Sequence, residues 1–287
     1  MWLILALIAG LGDALRDALS KRAATTIPRP LITWSYSLCA LPFLIPLIVL
    51  HIPDSIPLEF WALVTFVATC HVCGGLMLVK ALHSADLSVC TPMIAFTPVF
   101  LLVVGPVLTG DWPTYAGVLG ALLVVAGSYV LNISRSSAGV LAPFKALYSD
   151  IGPRLMLGLS LLWSVTGSID RIAVQRFDPV FWGSSQLFVI SLFLVPVVIR
   201  SGALARLPSL PDFRSLITIG GTNCIALATY LIALQLAPVH YVICVKRLSI
   251  PFSVLLGRLM FHERLLADRL PGALLMLLGV IIISLFG

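Results

Sequence analysis

The chain reads as an all-α integral membrane protein of ten transmembrane helices arranged as two inverted five-helix repeats. Three observations predict this. Of 287 residues, 60% are hydrophobic and only 10% are charged, against about 25% charged in an ordinary soluble domain. A soluble core of this length has no room for so much apolar surface, so lipid is the solvent for most of it. Uncharged runs long enough to cross a bilayer recur along the chain, and landmarks of the first half return in the second at a constant offset.

A hydrocarbon core takes about 20 apolar residues per helix. Runs without charge occupy 31–53, 60–79, 87–110, 112–134, 179–199 and 270–287. The run 215–245 is too long for one helix and divides at Ala237-Pro238. Three further segments, 2–21, 155–175 and 241–261, are apolar but carry charges. The predicted helices are therefore 2–21, 31–50, 60–82, 87–109, 113–133, 154–175, 179–199, 215–236, 240–261 and 269–286. The opening MWLILALIAG is a first membrane helix rather than a signal peptide, because no Lys or Arg precedes it and Asp13, Arg16 and Asp17 follow it.

Internal repetition supports the charged segments. Gly120-Ala121-Leu122-Leu123 with Gly127 returns as Gly272-Ala273-Leu274-Leu275 with Gly279, an offset of 152. Pro98 matches Pro251, and Asp17 matches Asp170, both at 153. The chain divides into a repeat at 1–133, a linker at 134–153 containing Ser134, Ser136, Ser137, Gly139 and Pro143, and a repeat at 154–287. Five helices per repeat is odd, so the second repeat enters the membrane from the opposite side, an architecture used by many secondary transporters. Basic residues gather in the loops after odd-numbered helices (Lys21, Arg22, Arg29, Arg135, Lys145, Arg154, Arg200, Arg206, Arg214, Arg264, Arg269), whereas loops after even-numbered helices hold only Arg176. That count places both termini outside the cytoplasm.

Charges at membrane depth need partners, water or a use. Asp13, Arg16, Asp17 and Ser20 share one face of the first helix. They either form local ion pairs, Asp13–Arg16 and Asp17–Lys21, or face an aqueous interior with Asp13 as a proton-carrying carboxylate. In the sixth helix Trp163, Thr166, Gly167 and Asp170 share a face beside Arg171. Asp170–Arg171 is either an interfacial pair or, by its match to Asp17, part of a role common to both halves. In the ninth helix Lys246, Ser249, Ser253 and Gly257 share a face, and Pro251 predicts a kink that frees the carbonyl near Arg247. Their counterparts in the fourth helix are Met93 and Ile94, so Lys246-Arg247 is no requirement of the repeat. Two adjacent cations with no acid in their own helix suit a phosphate or carboxylate, unless both snorkel to the interface.

Weaker signals complete the reading. His71, Asn223 and Tyr230 either line a cavity or make interhelical hydrogen bonds. Trp34, Trp61 and Trp182 are expected in the interfacial aromatic belt. Pro98 and Pro251 are candidate hinges. The six cysteines lie in apolar stretches, and Cys70 and Cys73, although spaced C-x-x-C, read as small apolar fillers. The +6 net charge is spread without a basic run, which gives no sign of nucleic-acid binding. No metal-spaced His cluster, G-x-S-x-G or paired catalytic carboxylates occur, so neither an enzyme nor a metal or other cofactor is expected.

The tract Lys80-Ala81-Leu82, Leu87-Ser88, Pro92, Phe96-Thr97-Pro98 and Gly110-Asp111 resembles the third-to-fourth helix signature of EamA-type proteins of the drug/metabolite transporter superfamily. Ala233-Leu234, Ala237-Pro238, Pro251, Gly257 and His262-Glu263-Arg264-Leu265 resemble its repeat. The resemblance spans essentially the whole chain. It implies ten helices around a central cavity lined by helices 1, 3, 4, 6, 8 and 9, and it implies cytoplasmic termini, against the charge count. Cys244-Val245-Lys246-Arg247 is similar to the ninth-helix Lys-Arg of triose-phosphate translocators, where the pair binds substrate phosphate. The expectation is thus a multi-pass plasma-membrane carrier of a small polar metabolite, with alternating access through movement of the two halves. Lys246, Arg247, Asp13, Arg16, Trp163, Asp170, Tyr230 and Ser249 are its candidate substrate ligands, and Asp13, Asp17 and Asp170 its candidate proton carriers. An anionic substrate is the first expectation, and export of amino acids or organic cations the alternative. A non-transporting scaffold or receptor is the rival from another class. The partners expected are a small-molecule substrate and the lipid bilayer, with a homodimer left open.

Overall fold

The computed structural model describes residues 1–50, 53, 55–85, 90–133, 141–205, 209–261 and 269–287. Leu87 and Ser88, the linker residues Ser134, Arg135, Ser136, Ser137 and Gly139, and Arg206, His262, Glu263, Arg264 and Leu265 lie outside them. Among the described residues every regular element is helical. In chain order these are α1 (Trp2–Ala23), α2 (Arg29–Leu38), α3 (Leu41–Leu50), α4 (Leu58–Ser84), a 3-10 turn (Thr91–Phe96), α5 (Thr97–Thr109) and α6 (Tyr115–Ile133). The short α7 (Ala142–Ser149) follows, within the expected linker. The second half holds α8 (Ile151–Arg176), α9 (Pro179–Arg200), a 3-10 turn (Ala203–Ala205), α10 (Leu210–Leu236), α11 (Val239–Lys246), α12 (Ser249–Phe261) and α13 (Leu270–Phe286).

Helix ends follow local chemistry. Asp178 caps α9 by accepting from the N–H groups of Val180 and Phe181, with Pro179 in the first turn. Ser209 and Asp212 cap α10 reciprocally. Gly110, at φ +79°, closes α5 in the left-handed conformation and bonds back to the Pro106 carbonyl. Among the described residues six helical stretches are long and apolar enough to cross a membrane: Leu58–Ser84, Pro92–Thr109, Ile151–Arg176, Pro179–Arg200, Leu210–Leu236 and Val239–Met260. Large apolar side chains on their outer surfaces, such as Val103, Val107, Phe188 and Leu259, are exposed and suit lipid.

Three predicted helices are broken, and each break precedes a proline. Segment 31–50 divides at residues 39 and 40, with Pro42 as the second residue of α3. Segment 87–109 is a 3-10 turn followed by α5, with Pro98 as its second residue. Segment 240–261 divides at residues 247 and 248, with Pro251 in the first turn of α12. A proline has no N–H for the carbonyl four residues back, and its ring crowds that carbonyl, so the ladder is interrupted just upstream. The expected kinks at Pro98 and Pro251 are therefore breaks, and Pro42 adds a third.

The repeat is visible in the packing. α6 and α13, which carry the duplicated Gly-Ala-Leu-Leu, lie against each other. A Cβ added at Gly127 would sit 2.5 Å from the Gly272 carbonyl oxygen, and one at Gly279 would sit 2.5 Å from that of Gly120. Each glycine meets the counterpart of its helix mate, and the higher number of one helix meets the lower number of the other. Equivalent helices thus run antiparallel about a local two-fold axis. Elsewhere α1 rests on α10, α11 and α12, while its counterpart α8 rests on α4, α5 and the 3-10 turn. The apposed face of α1 is made of small residues (Ala6, Ala9, Gly10, Gly12, Ala14, Ala18), which lets backbones approach closely. Gly127→Ala is expected to destabilise the detergent-solubilised protein by about 1–3 kcal/mol through overpacking. Gly75→Ala, with nothing within 4 Å of the added carbon, serves as the near-neutral control in the same thermal-denaturation measurement.

Candidate functional site

α1 crosses the break between α11 and α12 at Gly10, where a Cβ would lie 2.9 Å from the Lys246 carbonyl oxygen. That contact brings Asp13, one turn further along α1, to Lys246. Lys246 Nζ lies 3.1 Å from Asp13 Oδ2, and Arg16 Nη1 lies 2.8 Å from Asp13 Oδ1. One carboxylate therefore holds two cations, one from each half. Asp13 and its two cations are less than a third exposed, so these bonds carry more weight than a solvated surface pair. Lys246 also sits over the ring of buried Tyr230, 4.3 Å from its centroid.

Arg16 is the hub of the α1 stripe. Besides Asp13 it donates to Asp17 Oδ1 at 2.8 Å and to Asn223 Oδ1 at 3.0 Å, and it lies over the Tyr36 ring. Asn223 in turn donates to the Tyr36 carbonyl, and the Tyr36 hydroxyl donates to Ser20 Oγ. The local Asp13–Arg16 pair is present, but the stripe also reaches across to α10 and α11. Asp17 is mostly exposed at the rim of this cluster.

Lys246 and Arg247 part company. Arg247 lies at the break and donates through Nη2 to Thr97 Oγ1 at 2.7 Å and to the Ile94 carbonyl at 3.3 Å. Ile94 is the residue whose carbonyl Pro98 leaves without its helical donor. That carbonyl accepts from the backbone N–H and the hydroxyl of Thr97, and Arg247 adds a charged donor from the other half, at the position that matches its own in the repeat. Its own carbonyl, freed by Pro251, accepts from the N–H of Ile250. Among the described residues no carboxylate lies within ion-pair distance of Arg247.

The sixth-helix group also divides. Asp170 and Arg171 make no pair, being about 100° apart on one helix. Asp170 is buried, and its Oδ1 accepts from Trp182 Nε1 at 3.0 Å and Gln186 Nε2 at 2.5 Å. Asp17 and Asp170 match in the repeat yet differ in surroundings, so the expected common role is replaced by a rim ion pair in one half and a buried hydrogen-bonded carboxylate in the other. Trp182, expected in the interfacial belt, is fully buried and ligates Asp170 instead. Trp163 packs beside Gly74 of α4, with its indole nitrogen 3.5 Å from where a Cβ would stand. Ser249 opens α12, its backbone nitrogen facing Gly10. His71 hydrogen-bonds the carbonyl of Val67 in its own helix.

Asp13, Arg16, Lys246 and Tyr230 thus form one cluster, with Asp170 joined to it through Tyr230; Ser249 brings only its backbone to Gly10, and Arg247 and Trp163 make other contacts. Sequence reasoning missed Gln186, Tyr36 and Thr97. Gln186 was findable as an amide within an uncharged apolar helix; Tyr36 and Thr97 gave no such signal. Among the described residues no three His, Cys, Asp or Glu side chains are grouped to hold a metal ion.

Comparisons with known proteins agree with this architecture. A model of the EamA-like transporter family matches the chain twice, at residues 1–133 and 150–285. A solved structure, titled only as the crystal structure of a protein, superposes with a TM-score of 0.79 over 100% of this chain and 99% of its own at 17% identity, which shows the fold. No curated protein matches the sequence.

The two cations have different structural weight. Arg247→Met leaves the Ile94 carbonyl without its charged donor and is expected to cost about 1–3 kcal/mol. Lys246→Met leaves Asp13 held by Arg16 and should cost less. Chemical denaturation in detergent checks the order; an equal or larger cost for Lys246→Met would contradict it.

Proposed function

The chain belongs to the EamA-like transporter family, and on that premise we propose that it is a secondary-active carrier of a small polar metabolite bearing an anionic group. It is a multi-pass membrane protein, and ten spans in two inverted repeats are the reading that the antiparallel packing of α6 against α13 supports. Even span number puts both termini on one side of the plasma membrane. Movement of the two halves alternately exposes the cluster between α1, α10 and α11.

The observation that carries the reading is the Asp13 carboxylate shared by Arg16 and Lys246. An anionic substrate group and the Asp13 carboxylate compete for Lys246. When Asp13 takes a proton it releases Lys246, which then meets the substrate; when the substrate leaves, Asp13 loses the proton and recovers its partner. This exchange couples one proton to one anionic group without a buried charge left alone at either stage. Arg247 keeps the broken helices joined meanwhile.

A second reading has its own observation. Asp170 is buried among the neutral side chains of Trp182, Gln186 and Tyr230, and no Lys or Arg lies within ion-pair distance of it among the described residues. A substrate amine would find a partner there, as the amino-acid or organic-cation alternative requires. Substrate charge distinguishes the two.

In proteoliposomes screened with phosphomonoesters and dicarboxylates, Lys246→Ala is expected to lower flux of the transported anion at least tenfold. Asp13→Asn should retain exchange but lose accumulation driven by a pH gradient. Unchanged flux in Lys246→Ala would remove the anion site, and a loss confined to Asp170→Asn with cationic substrates would favour the second reading.

A further inference from the structure

We propose that His240 is a proton-sensitive latch residue that sets how readily one end of the carrier opens. The end in question is where α5, α8 and α10 finish and α11 begins. Polar links join the two halves there. Arg171 of α8 binds Asp111, just beyond α5, at 3.1 Å. The N–H of Thr114 donates to the Tyr241 hydroxyl at 3.0 Å, and the Thr114 hydroxyl donates to the Phe286 carbonyl at 3.1 Å. Arg176 binds Glu59 at 2.6 Å. Arg171 also donates to the Leu234 carbonyl at the end of α10. Asp111 is fixed by the left-handed Gly110 before it and by its own N–H donating to Thr109.

His240 sits within this group. It is fully buried, and neither ring nitrogen has a hydrogen-bond partner. The Tyr241 ring stands edge-on at 4.2 Å, and α5 closes over Nδ1 at Gly105. Besides the exposed Arg176–Glu59 pair, the charged groups of this end are Asp111, from the loop after α5, and Arg171, from α8. The other elements against α11 (α1, α6, α10 and α13) present none to it among the described residues. In the closed end, a proton added to His240 would have no acceptor and would stand as a second cation beside Arg171. When the halves part, α5 moves off the imidazole and water reaches both nitrogens.

The sign follows from linkage. A proton on His240 is solvated in the open form and has no acceptor in the closed form, so acid favours opening and alkali favours closure. The device belongs to one end. The counterpart of Glu59 is Asp212, which accepts from Thr26 at 2.9 Å at the other end, but the counterpart of Arg171 is Ala18 and that of His240 is Leu87. The inference rests on alternating access and is independent of the substrate cluster.

Spin labels on introduced cysteines at exposed Tyr115 and Leu236, with Cys39 and Cys73 replaced by serine, report the separation of the halves at this end in nanodiscs. From about pH 8 to about pH 5, a longer-distance population should grow severalfold in the otherwise wild-type protein. It should stay pH-independent in His240→Gln and in His240→Phe, which guard against misfolding of either one. Asp111→Asn should raise the long population at every pH. A wild-type distribution that ignores pH, or an acid response that survives both His240 variants, overturns the proposal. If Asp111→Asn still opens the end in that case, alternating access stands while the proton latch falls; if no condition yields a second population, both fall.

Discussion

A largely buried carboxylate with one cation from its own helix and another from the opposite half organises the centre of this protein. Asp13 can sit at that depth because Arg16 and Lys246 share its charge. Lys246 can sit there because Asp13 and the Tyr230 face receive it. Neither arrangement arises without the close crossing of α1 at Gly10, which depends on the small-residue face of that helix. Sequence, packing and charge therefore converge on one contact between halves. A contact of this kind is stable when complete and responsive when one partner is neutralised, as the proposed exchange of Lys246 between Asp13 and a substrate requires.

The same rule, that polar groups in lipid must be satisfied, explains the broken helices. Each proline frees a carbonyl and each freed carbonyl needs a donor. In both halves a nearby backbone N–H supplies a donor, Ile250 to the Arg247 carbonyl and Thr97 to the Ile94 carbonyl. Only in the first half does a further donor arrive from the other repeat, through Arg247. The local two-fold axis that apposes α6 and α13 also brings these matched positions together. Symmetry thus places the two breaks side by side, and a single arginine makes the pair asymmetric.

Much of this was legible in the residues themselves. The duplicated Gly-Ala-Leu-Leu and the Pro98–Pro251 match disclose two repeats, because close helix packing and ladder breaks depend on residue type. Helix segments were legible to within a few residues for the same reason, although Pro42 was not read as a break. What failed was inference from alignment or adjacency to environment. Asp17 and Asp170 match in sequence, yet their surroundings are set by which helices pass nearby. Lys246 and Arg247 are neighbours in sequence, yet a helix turns about 100° per residue and sends them to different partners. His240 gave no signal at all, since an unpartnered buried imidazole is a property of its neighbours.

The central claim is that Asp13 and an anionic substrate group compete for Lys246. Affinity of the purified protein for a panel of phosphomonoesters and dicarboxylates, measured by thermal shift and calorimetry, tests it directly. Asp13→Asn frees Lys246 and should bind the anion more tightly than wild type near neutral pH, while Lys246→Met should bind it more weakly. Equal affinity in all three proteins would contradict the claim, as would weaker binding in Asp13→Asn.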